Sequence, residues 1–360
     1  MKHHLIDFRN NWRKCINTFV FGFAGALFFD WVNLPLPWVT GPLSVTAVLA
    51  LSGLKLWMPL WLRPPSLAVL GILFGSAISP EFINQFIIWL PSMFAVLIFV
   101  IVTLPIITAY FYFAANYDFV TSLLSAAPGG LIPMTILGES YGADDRVIAF
   151  MQTLRLILTV LTIPLAFRIF AGYVPSGNIG TGGSFIAFLP GDVLPILAAC
   201  LVGYYLARLA RLPAPDLMGP MIMIGVLRLN GWIESEVPES LIAVAQVFIG
   251  ISIALRFNGT RIREIATDLF HGTLSSLAMI GLAVLFAIMT AEFVSSSAQS
   301  LILAFTPGGF AEMALVGFGL GMEISFVVSH QLVRFFFIVL GIPVLMAVIR
   351  GKPKKIDSDR

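Results

Sequence analysis

Long apolar stretches alternate with short polar ones along the chain, and the stretches are too long for a water-soluble core. Phe86 to Ala114, Arg146 to Gly172, Phe185 to Ala207, Leu269 to Glu292 and Ile324 to Ile349 carry few or no charges. A helix of about 20 apolar residues spans the hydrocarbon of a bilayer, so these five predict transmembrane helices. A shorter segment, Ile16 to Phe29, runs into Pro-rich sequence and a further span rather than a small-residue cleavage site. It predicts the first membrane helix, not a signal peptide.

The pattern repeats at long range. Thr40, Gly41 and Pro42 correspond to Met218, Gly219 and Pro220, and Gly25 to Gly203. The run from Leu67 aligns with that from Ile242, pairing Gly75 with Gly250. Ala126 to Met134, AAPGGLIPM, matches Phe305 to Met313, FTPGGFAEM, and Gln152, Arg155 and Pro164 stand 179 positions before Gln331, Arg334 and Pro343.

Charge decides the orientation of the halves, because short cytoplasmic loops collect Lys and Arg. Each half divides into five continuous segments and one that carries Pro-Gly-Gly. If the Pro-Gly-Gly segments re-enter and the other ten cross, most of the 21 basic residues fall inside, including Lys2, Arg9, Arg13, Lys14, Lys55, Arg63, Arg208, Arg211, Arg256, Arg261, Arg263 and the C-terminal cluster from Arg350. Glu81, Glu234, Glu236, Glu239 and Glu292 then face outside. Were all twelve to cross, Arg208, Arg211 and the Arg256 to Arg263 cluster would move outside, against the rule. The predicted fold is therefore an all-α integral membrane protein of two inverted-topology repeats, with about 10 transmembrane helices and two broken or re-entrant helices. Its parts are a cytoplasmic tail 1–15, a repeat 16–172, a linker 173–184, a repeat 185–349 and a cytoplasmic tail 350–360.

Composition agrees: of 360 residues, 58% are hydrophobic and 11% charged, with mean hydropathy +0.95, against about half and a quarter in soluble domains. A net charge of +2 gives no field for nucleic acid. Four scattered His and two Cys offer no metal-ligand spacing, so neither metal nor other cofactor is expected, and Cys15 and Cys200 read as small apolar fillers. Seven Trp residues fit interfacial belts against membrane lipid.

Candidate chemistry gathers at the breaks. Pro lacks an amide hydrogen and Gly accepts almost any backbone angle, so Pro128, Gly129, Gly130 and Pro307, Gly308, Gly309 interrupt their helices inside the apolar layer. A restarted helix points free amides and a positive dipole end at its surroundings, which favours anions. The alternative is a mere kink. Arg155 and Arg334 lie about 13 to 15 Å inside their segments, near the midplane, with Gln152 and Gln331 one turn earlier on the same face. They bind a solute, or they hold backbone carbonyls at the broken helices. Glu312 has Pro133 as its counterpart; it carries a coupling proton or cation, or pairs with an arginine. Glu139, Asp144 and Asp145 read as a solvated loop, and His330 alone among the histidines neighbours the Gln331, Arg334 face.

APGGL followed by Gly138 ESYGADDRVIAFMQTLR, and TPGGFAEMAL followed by HQLVR, resemble the duplicated signature of the AbrB membrane protein family over about residues 20 to 349. Members are described as transporters, as regulators of gene expression and as ammonia monooxygenases. The grouping of that family with cation:proton antiporters and anion transporters implies inverted repeats and broken helices. The Ala311, Glu312 pair stands only in the second half, so a symmetric two-carboxylate site is not implied.

The expectation is a transporter in the bacterial inner membrane for a small anionic or zwitterionic solute, with a proton or cation as coupling partner. It is not read as an enzyme, since an oxygenase needs convergent metal ligands; a homo-oligomer is compatible with the sequence. The alternative is a membrane regulator of gene expression that acts through a partner.

Overall fold

The computed structural model describes residues 2–78, 82–170, 172, 193–212, 214–233, 237–259, 265–294 and 296–350. The linker 173–184 and the tail 351–360 lie outside the described residues, as do Glu81, Glu234, Glu236, Arg261 and Arg263. In chain order the helices are α1 (Lys2–Trp31), α2 (Pro37–Leu51), α3 (Arg63–Ser76), α4 (Phe82–Phe113), α5 (Phe119–Ala126), α6 (Leu131–Tyr141) and α7 (Asp145–Phe170). They continue with α8 (Val193–Leu209), α9 (Pro215–Leu229), α10 (Glu239–Ala254), α11 (Ala266–Ala291), α12 (Ala298–Phe305), α13 (Phe310–Gly319) and α14 (Ile324–Arg350). Helix α1 takes in the basic stretch ahead of Ile16 as well as the apolar one after it.

Among the described residues, five helical stretches are long and apolar enough to cross a membrane: Gln85–Phe113, Asp145–Phe170, Glu239–Phe257, Ala266–Ala291 and Ile324–Ile349. Four coincide with spans read from sequence. The fifth expected span, Phe185 to Ala207, is described only from Val193 as the 17-residue α8. Its place is taken by Glu239–Phe257, where the fully buried Gln246 interrupts the apolar run. Outward faces are apolar too, with Leu194 76% and Leu340 66% exposed. Surfaces of this kind belong in lipid, and the molecule is a helical membrane protein.

The helices form two compact units that do not follow the sequence halves. The first comprises Met1–Asn84, Ile163–Arg261 and Ala314–Ser325; the second comprises Gln85–Thr162, Ile262–Met313 and Phe326–Arg360. Each takes helices from both halves.

In the first unit, small residues let backbones touch, the usual way for helices to associate where lipid competes with every apolar side chain. A Cβ at Gly25 of α1 would stand 2.7 Å from the Gly41 carbonyl oxygen of α2, and Gly203 of α8 meets Gly219 of α9 in the same way. Gly250 of α10 lies on Val39 and Pro42 of α2, while Gly71 of α3 lies on the matching Leu217 and Pro220 of α9. The counterpart of Gly250 in these contacts is thus Gly71, one turn before the Gly75 of the sequence alignment. Two glycines spaced four apart on one face make that slip easy. Backbone angles recur as well: Asn33 (φ 55°) and Leu36 (φ 51°) before Pro37, Arg211 (φ 55°) and Ala214 (φ 47°) before Pro215. Gly71 faces Leu217, Gly75 faces Met221 and Ile78 faces Gly225, so α3 and α9 run parallel.

In the second unit, α5 and α6 form a hairpin. The Asp144 amide, just past α6, donates to Thr121 Oγ1 near the start of α5 (2.9 Å). A Cβ at Gly138 would lie 3.5 Å from Leu124 Cδ1. The chain therefore goes out and back, with Pro-Gly-Gly at the tip. Asp118 caps α5 by accepting from the amides of Val120 and Thr121. Its neighbour Tyr117 donates to Asp268 in the first turn of α11 (2.5 Å), and burial together with Asp268 pushes the Tyr117 phenol up. Ser297 caps α12 in turn, by accepting from the Ser300 amide.

Candidate functional site

Every candidate residue lies in the second unit. The two breaks divide helices of 8 and 11 residues (α5, α6) and of 8 and 10 (α12, α13), about 12 to 16 Å each. No half-helix is long enough to cross alone. Gly130 takes φ 87°, a left-handed angle open to glycine, so that α6 can restart at Leu131. Met134 and Met313 fill the same place beneath Gly129 and Gly308.

A helix that stops in the apolar layer leaves carbonyl oxygens without partners. Gln152 Nε2 donates to the carbonyls of Leu124 and Ala127, both at 2.8 Å. Arg155 donates to the carbonyls of Ala126 (3.3 Å) and Ala127 (3.5 Å) and to Gln152 Oε1. The second break repeats the arrangement: Gln331 Nε2 reaches Leu303 (2.8 Å) and Thr306 (3.3 Å). Arg334 reaches Phe305 (3.2 Å), Thr306 (2.6 Å), Gly308 (3.0 Å) and Gln331 Oε1. Each Gln–Arg pair thus caps the C-terminal, negative end of a half-helix, where a cation is favoured. All four side chains are buried. The contacts to backbone carbonyls raised from sequence for these arginines are formed.

Two polar atoms at the breaks remain unspent. Arg334 Nε and Ser125 Oγ, in the last turn of α5, are buried without a hydrogen-bond partner among the described residues. Glu312 is 8% exposed and forms no hydrogen bond or ion pair among the described residues. The pairing with Arg334 or Arg155 raised from sequence is not formed.

The tips pack reciprocally. A Cβ at Gly130 would lie 3.6 Å from Phe335 of α14, and one at Gly309 would lie 3.1 Å from Leu156 of α7. Leu156 and Phe335 each follow a capping arginine. Pro133 Cδ stands 3.9 Å from the Gly130 position, whereas at Gly309 the matching neighbour is Glu312 Oε2.

The remaining residues are further from this chemistry. Glu139, Asp144 and Asp145 are exposed, but only Asp144 lies between helices: Glu139 is in the last turn of α6 and Asp145 opens α7, so the loop read from sequence is shorter than expected. His330 is fully buried, with Nδ1 2.7 Å from the Phe326 carbonyl and Nε2 2.7 Å from Ser92 Oγ. His271 pairs with the Tyr110 hydroxyl at 2.7 Å. No group of three or more His, Cys, Asp or Glu side chains could hold a metal among the described residues.

A family described as "Transition state regulatory protein AbrB" matches residues 38–350. The chain belongs to the AbrB family. That match takes in both Pro-Gly-Gly breaks and both Gln–Arg pairs. Among curated relatives, the Escherichia coli (strain K12) protein named "Putative regulator AbrB" is 26% identical over 322 residues, 88% of this chain and 91% of that protein. The Bacillus subtilis (strain 168) "Uncharacterized protein YhjN" is 28% identical over 247 residues, 63% of this chain and 62% of that protein.

Proposed function

We propose that this AbrB-family chain is a secondary transporter that carries a small anionic or zwitterionic solute across the bacterial inner membrane. Both termini are cytoplasmic, and two inverted repeats give ten crossings plus two re-entrant hairpins. The parallel run of α3 and α9 supports this topology. Consecutive spans α2 and α3 point opposite ways, so α9, the counterpart of α2, is inverted relative to it. A first Pro-Gly-Gly segment that crossed would make α9 antiparallel to α3.

The observation that carries the reading is the asymmetry of each break. Buried Gln152–Arg155 and Gln331–Arg334 neutralise the negative ends, which leaves the positive start of α6 without a compensating charge and that of α13 with the Glu312 carboxylate alone. Pro128 to Gly130 and Pro307 to Gly309 shape those poles and bring the solute close to backbone amides. The arginines hold the tips and add positive potential, and Arg334 Nε is a free donor. Glu312 carries the coupling ion.

The test is uptake of labelled acetate, succinate, phosphate and glycine into proteoliposomes, with and without a pH gradient. The expected result is accumulation of at least one of them, abolished by Arg334→Gln. No flux of any, or full flux through Arg334→Gln, contradicts the proposal.

The name of the Escherichia coli relative favours a second reading, control of gene expression through a partner. Transcript changes on gene deletion that persist with intracellular solutes held constant would support it over transport.

A further inference from the structure

The two breaks are alike except at one position, and that position bears a charge. Helix α13 starts after Gly309, and its first intrahelical hydrogen bond runs from Met313 N to Gly309 O (2.9 Å). The amides of Phe310, Ala311 and Glu312 precede that bond and form the positive pole. Glu312 is the third residue of α13, the place from which a carboxylate folds back over the start of its own helix. It does so here: Oε2 lies against the bare α-carbon of Gly309, where any Cβ would collide with it. The carboxylate is buried and has no hydrogen bond or ion pair among the described residues. At the first break the matching residue is Pro133, which brings no charge.

The chain therefore has two anion-favouring poles and one resident anion. We infer that Glu312 competes with the solute for the pole of α13, so that binding an anion there takes up one proton from solution. Two negative charges this close in an apolar layer repel strongly. A proton on the Glu312 carboxylate oxygen removes the competitor and frees the pole. A metal ion is a poor substitute for that proton. The carbonyls it would seek at the second break, those of Phe305, Thr306 and Gly308, already face the Arg334 guanidinium.

The charged and titratable groups around the break do not supply another acid for the role. Helix α14 brings Arg334 and the fully buried His330, held by Ser92 and the Phe326 carbonyl. Helix α7 brings Arg155, next to the Leu156 that touches Gly309. Helix α12 has no titratable side chain. On α11, Asp268 and His271 are engaged by Tyr117 and Tyr110 near its start, and Glu139 on α6 is exposed near that helix's C-terminal end.

The inference rests on reading the breaks as anion sites, and its test separates the two. Binding of acetate, succinate and inorganic phosphate to the full chain in detergent is measured by calorimetry from pH 5 to 8, with proton uptake followed by an indicator dye in weak buffer. In the wild type, affinity should fall about tenfold per pH unit on the alkaline side, with one proton taken up per anion bound. Above about pH 6, where acetate stays ionised, Glu312→Gln should bind it at a pH-independent affinity without proton uptake, whereas succinate and phosphate add their own titration to both proteins. Pro133→Glu, which gives the first break its own carboxylate, should weaken binding at pH 8 and recover at pH 5. Wild-type binding that does not vary with pH, retained proton uptake with acetate in Glu312→Gln, or no binding of any of the three anions to Glu312→Gln overturns the inference. Anion binding to Glu312→Gln with no flux through any variant would overturn transport and leave the proton linkage standing.

Discussion

At the scale of single residues, the Gln–Arg pairs carry most of the physical load. A guanidinium in the apolar layer is costly unless it meets acceptors, and a stopped helix in that layer is costly unless it meets donors. Bringing the two together solves both problems. Gln152→Leu should leave the Leu124 and Ala127 carbonyls short of a donor and lower stability by about 1–3 kcal/mol, read as a fall in thermal unfolding midpoint in detergent. Gln331→Leu should do the same for Leu303 and Thr306. The positions of these residues were legible in the sequence, because arginine deep in an apolar run is conspicuous and the second half repeats it. Their acceptors were not. The carbonyls lie 25 to 29 residues away along the chain, and only the fold decides which ones a long side chain reaches. The Ser92–His330 contact, 238 positions apart, left no sequence signal at all.

At the scale of elements, glycine contacts set the packing of the first unit. Gly41→Val should force the backbones of α1 and α2 apart and cost about 1–3 kcal/mol, as should Gly219→Val between α9 and α8. Gly281 of α11 has open space around it, with nothing within 4 Å of the point where a Cβ would stand. There Gly281→Ala should instead stabilise by about 0.5–1 kcal/mol, through lower backbone entropy in the unfolded chain. Thermal unfolding of the three variants reads both signs. The helix breaks were legible because Pro-Gly-Gly sets a residue without an amide hydrogen beside two glycines, whereas the single prolines inside α4, α7 and α14 leave those helices continuous. Helix α10 was harder to see as a long span because Gln246 lies in its middle, buried with both amide atoms unpartnered.

For the whole molecule, the central claim is that the two halves of the chain insert their interrupted helices from opposite faces of the membrane. The paired motifs point to the repeat, and loop charge to the inversion. The division into two units that each mix both halves was not, since it depends on contacts between residues far apart in sequence. Single cysteines at the bases of the breaks test the claim directly, in a background where Cys15 and Cys200 are replaced. Asp145→Cys, after the first hairpin, and Gln299→Cys, at the start of α12, are treated in intact and in permeabilised cells with a membrane-impermeant maleimide. The account predicts that Gln299→Cys is labelled from outside intact cells and Asp145→Cys only after permeabilisation. Labelling of both from the same side would contradict it.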